Sequence, residues 1–391
     1  MKVYLLSFLL IGVAFSFSIE PDNESKVNDA LFRFSLKFLK EQEKEIFVIS
    51  PFSLAMAMAM VNDGAKGQTS QQVTDVIFNG IPKDEINSWH ETKLSELNRG
   101  KSPLAVAARV YIEETEEILR PFLDSMTGNF HSELVKADFL NDSDNERKNV
   151  NNFVNESTRG HIPEFIPQGV IDEDTKLALV NALYMESNFK TAFEKFLTKP
   201  ADFTNENGTI KQVTTMSMFF DGLKYKDHPQ FSYTELPFED DGFAFFILVP
   251  KERNLTDFIS DTLKQKEPIG KSLRSPYRYG CSVDVALPKF NVSSSPSADE
   301  TLGKMGVKTI FQQGQAELSG INGKNDLYVQ AVVHQATLDL DETGIKASAA
   351  SAVLVGVWKS GGSCSGTVHA DRPFLYGITH NGTPLFVGQY Y

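Results

Sequence analysis

The chain has 391 residues, of which 41% are hydrophobic and 23% charged, a composition that excludes disordered, collagen-like and coiled-coil proteins. Its 38 lysines and arginines are outnumbered by 51 aspartates and glutamates, and the net charge of −13 argues against nucleic acid or an anionic membrane surface as a partner. A chain of this length buries roughly 75% of its unfolded surface, so we expect a core that requires no metal.

The first 18 residues have the pattern of a secretory signal peptide. Lys2 precedes an apolar stretch over residues 3–15, and small residues follow up to Ser18. No later segment offers about 18 uninterrupted apolar residues, as a membrane-spanning helix requires. We therefore expect a secreted, extracellular protein with no membrane anchor, from which residues 1–18 are removed.

Asn-x-Ser/Thr triplets, the acceptors of N-linked glycans, occur seven times and fit this compartment. Pro384 directly after Thr383 makes Asn381 the weakest acceptor of the set. The six remaining candidates are Asn23, Asn141, Asn155, Asn207, Asn254 and Asn291. With only two cysteines, Cys281 and Cys364, the chain is not a disulfide scaffold.

Helical patterns dominate the first 160 residues. Apolar residues recur at helical spacing over residues 25–42. After a short strand over residues 47–49, Ser50 and Pro51 form a helix start, and the Ala/Met-rich residues up to Val61 predict a buried central helix. Further helices are predicted over residues 68–78, 83–98, 119–130 and 143–158, with a strand over 104–112.

Strand patterns dominate from residue 177 onward. Helices followed by strands, without regular alternation, indicate an α+β fold rather than a doubly wound parallel sheet. The chain shows no internal repeat and no linker rich in Pro or Gly, so we expect one domain over residues 19–391. The predicted strands cover residues 177–185, 243–249, 281–287, 327–340, 374–379 and 385–391.

Residues 344–366 are small, apolar and almost uncharged, and they lie between two strong strand segments. As a loop, this segment is too long for a passive connection, which leaves a functional loop or a mobile linker. As a strand, it would have two faces. One face would carry Ile345, Ala347, Ala349, Ser351, Val353 and Val355, and the other Lys346, Ser348, Ala350, Ala352 and Leu354.

At this point the chain resembles the serpins, the serine protease inhibitor superfamily, over nearly all of residues 19–391. Four motifs in the family's order carry the resemblance. They are FVISPFS at 47–53 with GAKGQT at 64–69, LVNALY at 179–184, DETG at 341–344 followed by ASAAS at 347–351, and ADRPFL at 370–375.

The resemblance implies a serpin fold of three β-sheets and about eight or nine helices, with an exposed reactive loop at about residues 342–366. A target serine protease would cleave this loop, which would then insert into the main sheet as a new strand and trap the protease as an acyl complex. The implied loop hinge comprises Glu342, Thr343, Gly344, Ile345, Lys346, Ala347, Ser348, Ala349, Ala350 and Ser351.

The hinge composition suits insertion, because its prospective buried face is small, uncharged and free of Pro. Gly344 gives the pivot conformational freedom. Ile345 departs from the small hydroxyl residue usual in inhibitory members, but it is apolar and favours strands, so we expect it to be tolerated. By resemblance, a buried polar cluster lies beneath the strands that part during insertion, formed by Ser50, Ser53, Asn181 and His334.

The bond that the protease cuts has two candidate positions. Counting seventeen residues from Glu342, as in many inhibitory family members, gives Trp358 as the bait residue and implies a chymotrypsin-like target. One residue further gives Lys359, followed by Ser360, and implies a trypsin-like target. The resemblance also puts the residues after the bait on an edge strand beside Cys281, so a Cys281–Cys364 disulfide is a hypothesis, with two free thiols as the alternative.

Two rival functions remain at this stage. The first is a non-inhibitory serpin that acts as a carrier or chaperone. The second is a hydrolase, because GSCSG at 362–366 has the spacing of a nucleophile elbow, although Cys stands at its centre and no helical pattern follows. We expect an inhibitor rather than an enzyme, a monomer without cofactor or metal, and no heparin site, since residues 83–99 mix both charges.

Overall fold

The structure is a computed structural model that describes residues 21–99, 102–252, 254–265, 269–274, 278–345 and 364–391. Within these ranges the chain forms nine α-helices of at least six residues, one four-residue helix and two short 3-10 helices. The α-helices are α1 (Pro21–Lys40), α2 (Pro51–Gly64), α3 (Gly67–Ile77), α4 (Lys83–Leu97), α5 (Arg120–Phe130), α6 (Phe139–Ser157), α7 (Leu255–Lys264), α8 (Ile269–Arg274), α9 (Ala298–Met305) and α10 (Ser319–Asn322), and the 3-10 helices are Lys195–Leu197 and Thr309–Phe311.

Sixteen strands are present in the same ranges. They are β1 (Phe47–Ile49), β2 (Leu104–Glu113), β3 (Glu133–Ala137), β4 (Leu177–Met185), β5 (Ser187–Asn188), β6 (Lys199–Thr204), β7 (Ile210–Asp227), β8 (Phe231–Pro237), β9 (Phe243–Pro250), β10 (Arg278–Pro288), β11 (Phe290–Ser294), β12 (Ala331–Asp341), β13 (Gly344–Ile345), β14 (Ser365–His369), β15 (Phe374–His380) and β16 (Thr383–Tyr390).

Hydrogen bonding joins the described strands into two sheets. The nine-stranded sheet has the order β1-β16-β15-β9-β8-β7-β10-β14, with β6 also paired to β7, and the seven-stranded sheet has the order β3-β2-β4-β12-β13-β5, with β11 also paired to β12. The expected serpin architecture is present, but its three sheets count as two, because the 18-residue strand β7 pairs with β6, β10 and β8 in turn and so joins two of them.

Helix α2 fills the space between the two sheets. Ser50 caps it, since its Oγ accepts a hydrogen bond from the Ser53 amide at 3.1 Å, and Pro51 occupies the first helical position. The helix packs on β16 of one sheet and β4 of the other. This placement explains why the sequence of α2 is apolar all round rather than amphipathic.

Strand β4 is buried on both faces. Leu179 and Leu183 belong to the main core on the α2 side, whereas Val180 and Ala182 belong to a second cluster under α6. A strand covered on both faces has no solvent side, and its sequence is therefore a continuous apolar run. For this reason the predicted bounds of residues 177–185 agree with the observed strand.

Two predictions of local structure need correction. The strand predicted over residues 327–340 begins only at Ala331, because Leu327 and Val329 are buried as extended chain outside the ladder and the Val329 amide bonds to the carbonyl of Ile310 at 2.9 Å. The helix predicted over residues 143–158 begins earlier, at Phe139, with a kink at Asp142. Helices also continue beyond residue 160, as α7 to α10 show.

Candidate functional site at the loop hinge

The hinge begins where β12 turns back on itself. Across this turn Gly344 pairs with Asp341 and Ile345 with Leu340 in antiparallel register. On its other edge β13 pairs with β5, again antiparallel, through Ile345 and Ser187. The two residues of β13 therefore lie as a short strand between two others, and Ile345 is only 1% exposed.

Gly344 cannot be replaced by a larger residue without disturbing this arrangement. Its φ of +145° lies in a region that side chains disfavour, and an added Cβ would stand 2.3 Å from the carbonyl oxygen of Ser187. The turn before it is fixed by Asp341, whose Oδ1 accepts hydrogen bonds from the amide and the hydroxyl of Thr343 at 2.7 and 2.6 Å. The glycine thus lets the chain approach β5 closely.

Glu342 anchors the hinge to the rest of the molecule. Its carboxylate is buried and accepts a hydrogen bond from Nζ of Lys289 at 2.8 Å. Burial by itself would raise the pKa of Glu342, but the bond and charge of Lys289 outweigh it and the pKa is lowered. The backbone is held as well, since the carbonyl of Glu342 accepts from the Phe193 amide at 2.8 Å.

The seven-stranded sheet has a slot below this hinge. Strands β4 and β12 are parallel and pair at six positions, from Ala178 with Ala331 to Leu183 with Ala336. Above the last pair, residues 184–186 and 337–339 face each other, and no described strand joins their facing edges until β13 is reached. Strands β4 and β12 are therefore paired over residues 178–183 and 331–336, which we call the closed half. Nearer the hinge they are separated, and we call this gap the slot, since it has room for a further strand.

The predicted polar cluster lies at the middle of the closed half, on the core side. His334 and Asn181 are direct register partners of β12 and β4. The Ser50 amide donates to His334 Nε2 at 3.1 Å, Asn181 Nδ2 donates to the carbonyl of Ser53 at 2.8 Å, and the Ser53 hydroxyl donates to Asn181 Oδ1. The structure thus brings all four predicted residues into one network that ties the start of α2 to the two strands.

His334 leaves one buried donor in this network without a partner. Burial lowers the pKa of His334 to about 4, so the imidazole is neutral at pH 7. Because Nε2 accepts a hydrogen bond, the proton sits on Nδ1. Nδ1 has no hydrogen-bond partner among the residues that the structure describes. A buried N–H of this kind is costly unless a partner arrives in another state of the sheet.

The far end of the loop is anchored to the nine-stranded sheet. Cys281 of β10 and Cys364 are joined by a disulfide, with a Cα–Cα distance of 4.9 Å. The Ser282 amide also donates to the carbonyl of Cys364 at 3.1 Å, and β14 then runs parallel to β10 from Ser365 onward. Residue 364 is therefore held by one covalent bond and by the start of a strand ladder.

Several predicted residues lie outside the described part of the chain. These are the signal peptide at 1–18, the hinge residues Lys346, Ala347, Ser348, Ala349, Ala350 and Ser351, and the bait candidates Trp358, Lys359 and Ser360. All six glycan acceptors are described. Asn141, Asn207 and Asn291 are exposed, and Asn23, Asn155 and Asn254 are half-buried.

Sequence reasoning missed the residues that hold the hinge from outside. Lys289 stands 53 positions before Glu342, and Phe193 lies on a loop after β5 with no periodic pattern. No local sequence signal marks Lys289, because its partner Glu342 is close only in the folded protein.

Among the described helices, none is both long and apolar enough to cross a membrane. The described residues likewise contain no group of three His, Cys, Asp or Glu side chains arranged to hold a metal ion.

Comparison with known proteins places this architecture in a family. Residues 26–391 match the family model described as serpin (serine protease inhibitor). Leukocyte elastase inhibitor of Equus caballus is 31% identical over 361 residues, covering 88% of this chain and 92% of that protein. The Homo sapiens protein of the same name is 32% identical over 357 residues, with the same coverage of 88% and 92%.

Solved structures show the same fold. The thermophilic serpin tengpin in its native state is 24% identical with a TM-score of 0.81, covering 95% of each chain. Serpin48 of the insect Tenebrio molitor is 24% identical with a TM-score of 0.80, covering 95% of this chain and 99% of that one. Uncleaved ovalbumin, also 24% identical, has a TM-score of 0.77 and covers 93% and 98%.

Proposed function

This chain belongs to the serpin family, and we propose that it inhibits a chymotrypsin- or trypsin-like serine protease as a suicide substrate. The cleaved loop would enter the seven-stranded sheet and carry the acylated protease with it. The observation that supports this most directly is β13, which already lies antiparallel between β12 and β5 at the top of the slot. A strand that continued β13 would have the direction that the slot requires.

If the loop continued β13 in the same register, each following residue would have a defined pair of neighbours on β12 and β4. Counting on from Ile345, which faces Leu340 and Ser187, Lys346 to Ser348 would fill the slot without separating β4 from β12. From Ala349 onward, each inserted residue would replace one of the six β4–β12 pairs, beginning with Ala336 and Leu183. Opening would therefore start only after three residues have entered, and each later residue would form ladder hydrogen bonds on both edges.

The buried face of such a strand would match its surroundings. Ala347 would lie between Leu338 and Met185, and Val353 between Val332 and Leu179, all on the core side. Ser351 is the single hydroxyl on this face of residues 345–355, and in this register it would lie between His334 and Asn181. Its Oγ could accept the hydrogen bond that His334 Nδ1 does not make in the closed sheet.

The chemical step belongs to the protease, and this chain supplies the substrate. The protease serine would attack the carbonyl carbon of Trp358 or Lys359, and the amine of the next residue would leave with a proton, so that an ester joins the two proteins. The segment after the cut would stay on β10, held through Cys364. The segment before it would be free to insert, and inhibition requires that insertion precede attack of water on the ester.

We also propose that the protein acts outside the cell as a monomer, after removal of residues 1–18. Glycans would be attached first at Asn141, Asn207 and Asn291, whose side chains are exposed. Treatment of the protein from a secreting eukaryotic host with an N-glycosidase should lower its mass, and N-terminal sequencing should begin close to residue 19. An unchanged mass would show that the protein carries no N-linked glycan.

The test of inhibition is incubation with trypsin and, separately, chymotrypsin, followed by a denaturing gel and mass spectrometry of the released peptide. We expect a covalent complex that survives denaturation, with a cut after Lys359 or after Trp358. Ala349→Arg would bring a charge onto the buried face, so this variant should be cleaved without complex, whereas Ala349→Ser should still form it. Clean cleavage of the wild type by both proteases, with no complex, would favour the non-inhibitory alternative.

A further inference from the structure

The turn between β6 and β7 borders a surface cavity of about 830 Å³. Four parts of the chain form its walls: the linker from α1 to β1, this turn with the start of β7, the start of α7 and the residue after β16. They contribute residues 44–46, residues 205–207, Lys211, Asn254 and Tyr391. Pockets that hold small ligands have volumes of about 300–1,000 Å³, so the cavity is large enough for one.

Two of the predicted glycan acceptors, Asn207 and Asn254, stand in these walls. Asn254 caps α7, since its Oδ1 accepts from the Asp257 amide at 2.9 Å and its Nδ2 donates to the Asp257 carboxylate at 2.6 Å. Asn207 is exposed, and its Oδ1 accepts from the Thr209 amide at 2.9 Å within the turn. A glycan attached to Nδ2 of Asn207 therefore leaves this turn intact and begins at the rim of the cavity.

The charged side chains in the walls balance one another. Lys44 and Lys211 are matched in number by Glu45 and Glu206. Nζ of Lys44 lies 2.7 Å from the Glu206 carboxylate, and Nζ of Lys211 donates to the main-chain oxygen of Tyr391 at 2.5 Å. A site for a phosphate or a divalent cation would present an excess of one sign of charge. The balance therefore favours an uncharged ligand that forms hydrogen bonds.

The walls also combine an aromatic side chain with amide groups. Tyr391 is half-buried, and its hydroxyl lies 3.2 Å from the Thr256 hydroxyl. The side-chain amides of Asn205 and Asn254 belong to the same lining. The C–H face of a sugar ring packs against an aromatic ring, while its hydroxyl groups bond to amides and carboxylates. A neutral cavity of this composition is suited to a carbohydrate.

We propose that the N-acetylglucosamine units at the start of the Asn207 glycan occupy this cavity. This inference rests on the glycosylation in the proposed function. The sugars would connect the β6–β7 turn to α7 and to residues 44–46, where the Thr256 amide already donates to Glu206 Oε1 at 2.9 Å. Because such contacts exist only in the folded protein, they would stabilise it, and they would also shield the glycan from enzymes.

The first measurement is the release of glycans from protein made in a secreting eukaryotic host. An N-glycosidase removes the glycan and leaves Asp in place of Asn, so mass spectrometry of peptides follows Asn207 and Asn141 separately, in the folded protein and after unfolding by heat. Asn141 is the control, since it is exposed and lines neither this cavity nor the smaller one of about 430 Å³ beside Asn291. Tyr391→Ala removes one wall and keeps both acceptors.

The second measurement is the melting temperature of two variants that each lose one acceptor triplet. Thr209→Ala keeps Asn207 and its hydrogen bond to the amide of residue 209, and Ser143→Ala keeps Asn141. Both variants and the wild type are also made in a bacterial host that attaches no N-linked glycan. This comparison separates the effect of the glycan from that of the substitution.

We expect release from Asn207 to be about tenfold slower than from Asn141 in the folded protein and equally fast after unfolding. Tyr391→Ala should raise the rate at Asn207, and Thr209→Ala should lower the melting temperature by about 2 °C in the glycosylated protein alone, with a smaller change for Ser143→Ala.

Equal release from the two acceptors in the folded protein, or an unchanged rate at Asn207 in Tyr391→Ala, would overturn the inference while leaving inhibition and glycosylation intact. The same holds for a protein that carries a glycan at Asn141 and none at Asn207. A protein with no N-linked glycan at all would contradict the proposed glycosylation, and this inference with it.

Discussion

Nζ of Lys289 lies 2.8 Å from the Glu342 carboxylate and joins the end of β10 to the residue at which β12 turns into the loop. The carboxylate is buried, whereas the lysine is about 41% exposed along its side chain. Lys289 therefore supplies the positive charge that the buried Glu342 carboxylate requires. At the same point the Glu342 and Thr343 carbonyls accept hydrogen bonds from the amides of Phe193 and Phe189, so side chain and backbone together hold the start of β13 in place.

Replacing Lys289 by Met should destabilise the hinge. The buried Glu342 carboxylate would lose its partner, at a cost of about 1–3 kcal/mol. Because the folded pKa of Glu342 is lowered, the stabilisation is present above the ordinary Glu value and is lost as pH falls through the folded pKa. We expect a melting temperature about 2–5 °C below wild type at pH 7.5 and a smaller difference at pH 4.

Lys264→Met serves as the matched control for that variant. Lys264 pairs with Asp261 on the surface of α7, where both side chains are largely exposed, so its loss should change stability by no more than about 0.5 kcal/mol. Equal melting temperatures for the two variants would mean that the Glu342–Lys289 pair has no special role.

Replacing Gly344 by Ala should convert part of the inhibitor into substrate. The new Cβ would stand 2.3 Å from the Ser187 carbonyl oxygen in a disfavoured φ region, so β13 would leave its place beside β5. Insertion would then start more slowly while the ester hydrolyses at its usual rate. We expect the moles of protein consumed per mole of inhibited protease to rise at least twofold, measured by titration of protease activity.

Gly128→Ala is the appropriate control, because Gly128 lies inside α5 and an added Cβ meets nothing within 4 Å. The control should keep the wild-type stoichiometry. A wild-type stoichiometry for Gly344→Ala would show that the close approach to Ser187 is not needed for insertion.

Replacing Ser351 by Ala should weaken the loop-inserted form alone. If the cleaved loop continues the register of β13, Ser351 would lie beside His334 and Asn181, where its hydroxyl would satisfy the buried Nδ1–H of His334. Loss of that bond should cost about 1–3 kcal/mol in the cleaved protein and nothing before cleavage. Thermal unfolding of both forms measures this. Ser348→Ala, on the opposite face, should leave the melting temperature of the cleaved form within about 1 °C of wild type.

Helices and strands whose own residues show a clear burial pattern or a capping signal were predictable from sequence. Contacts between residues far apart in the chain were not. The continuous apolar run of β4 gave its bounds because both faces are buried, and Ser50 and Pro51 marked the start of α2. Strand β7 was missed, since its exposed and buried positions do not alternate regularly. The buried polar cluster could be predicted only from the resemblance to the family. The role of Lys289 could not be predicted at all, because it depends on the tertiary contact between the end of β10 and Glu342 in the hinge.

Two buried histidines should make the protein sensitive to acid. Burial lowers the pKa of both His90 and His334 to about 4. The unfolded chain binds these protons near pH 6.5, so stability falls as pH drops from about 6.5 towards 4, with a slope of up to 2.7 kcal/mol per pH unit for two groups. Urea unfolding across this range should show it, and His90→Phe should reduce the slope by at most about 1.4 kcal/mol per pH unit, the contribution of one proton. A slope that His90→Phe leaves unchanged would assign the acid sensitivity to other groups.

The disulfide should protect the uncleaved loop from entering the slot. Drawing residues 346 onward into the sheet pulls on the chain that leads to Cys364, and β14 would have to leave β10, with which it forms five register pairs. The double variant Cys281→Ser/Cys364→Ser lacks the covalent part of this restraint. We expect it to lose inhibitory activity without cleavage several times faster than wild type at 40 °C, as measured by residual complex formation. Wild-type protein denatured without reductant should show no titratable thiol, and two thiols there, or equal rates of loss, would contradict the restraint.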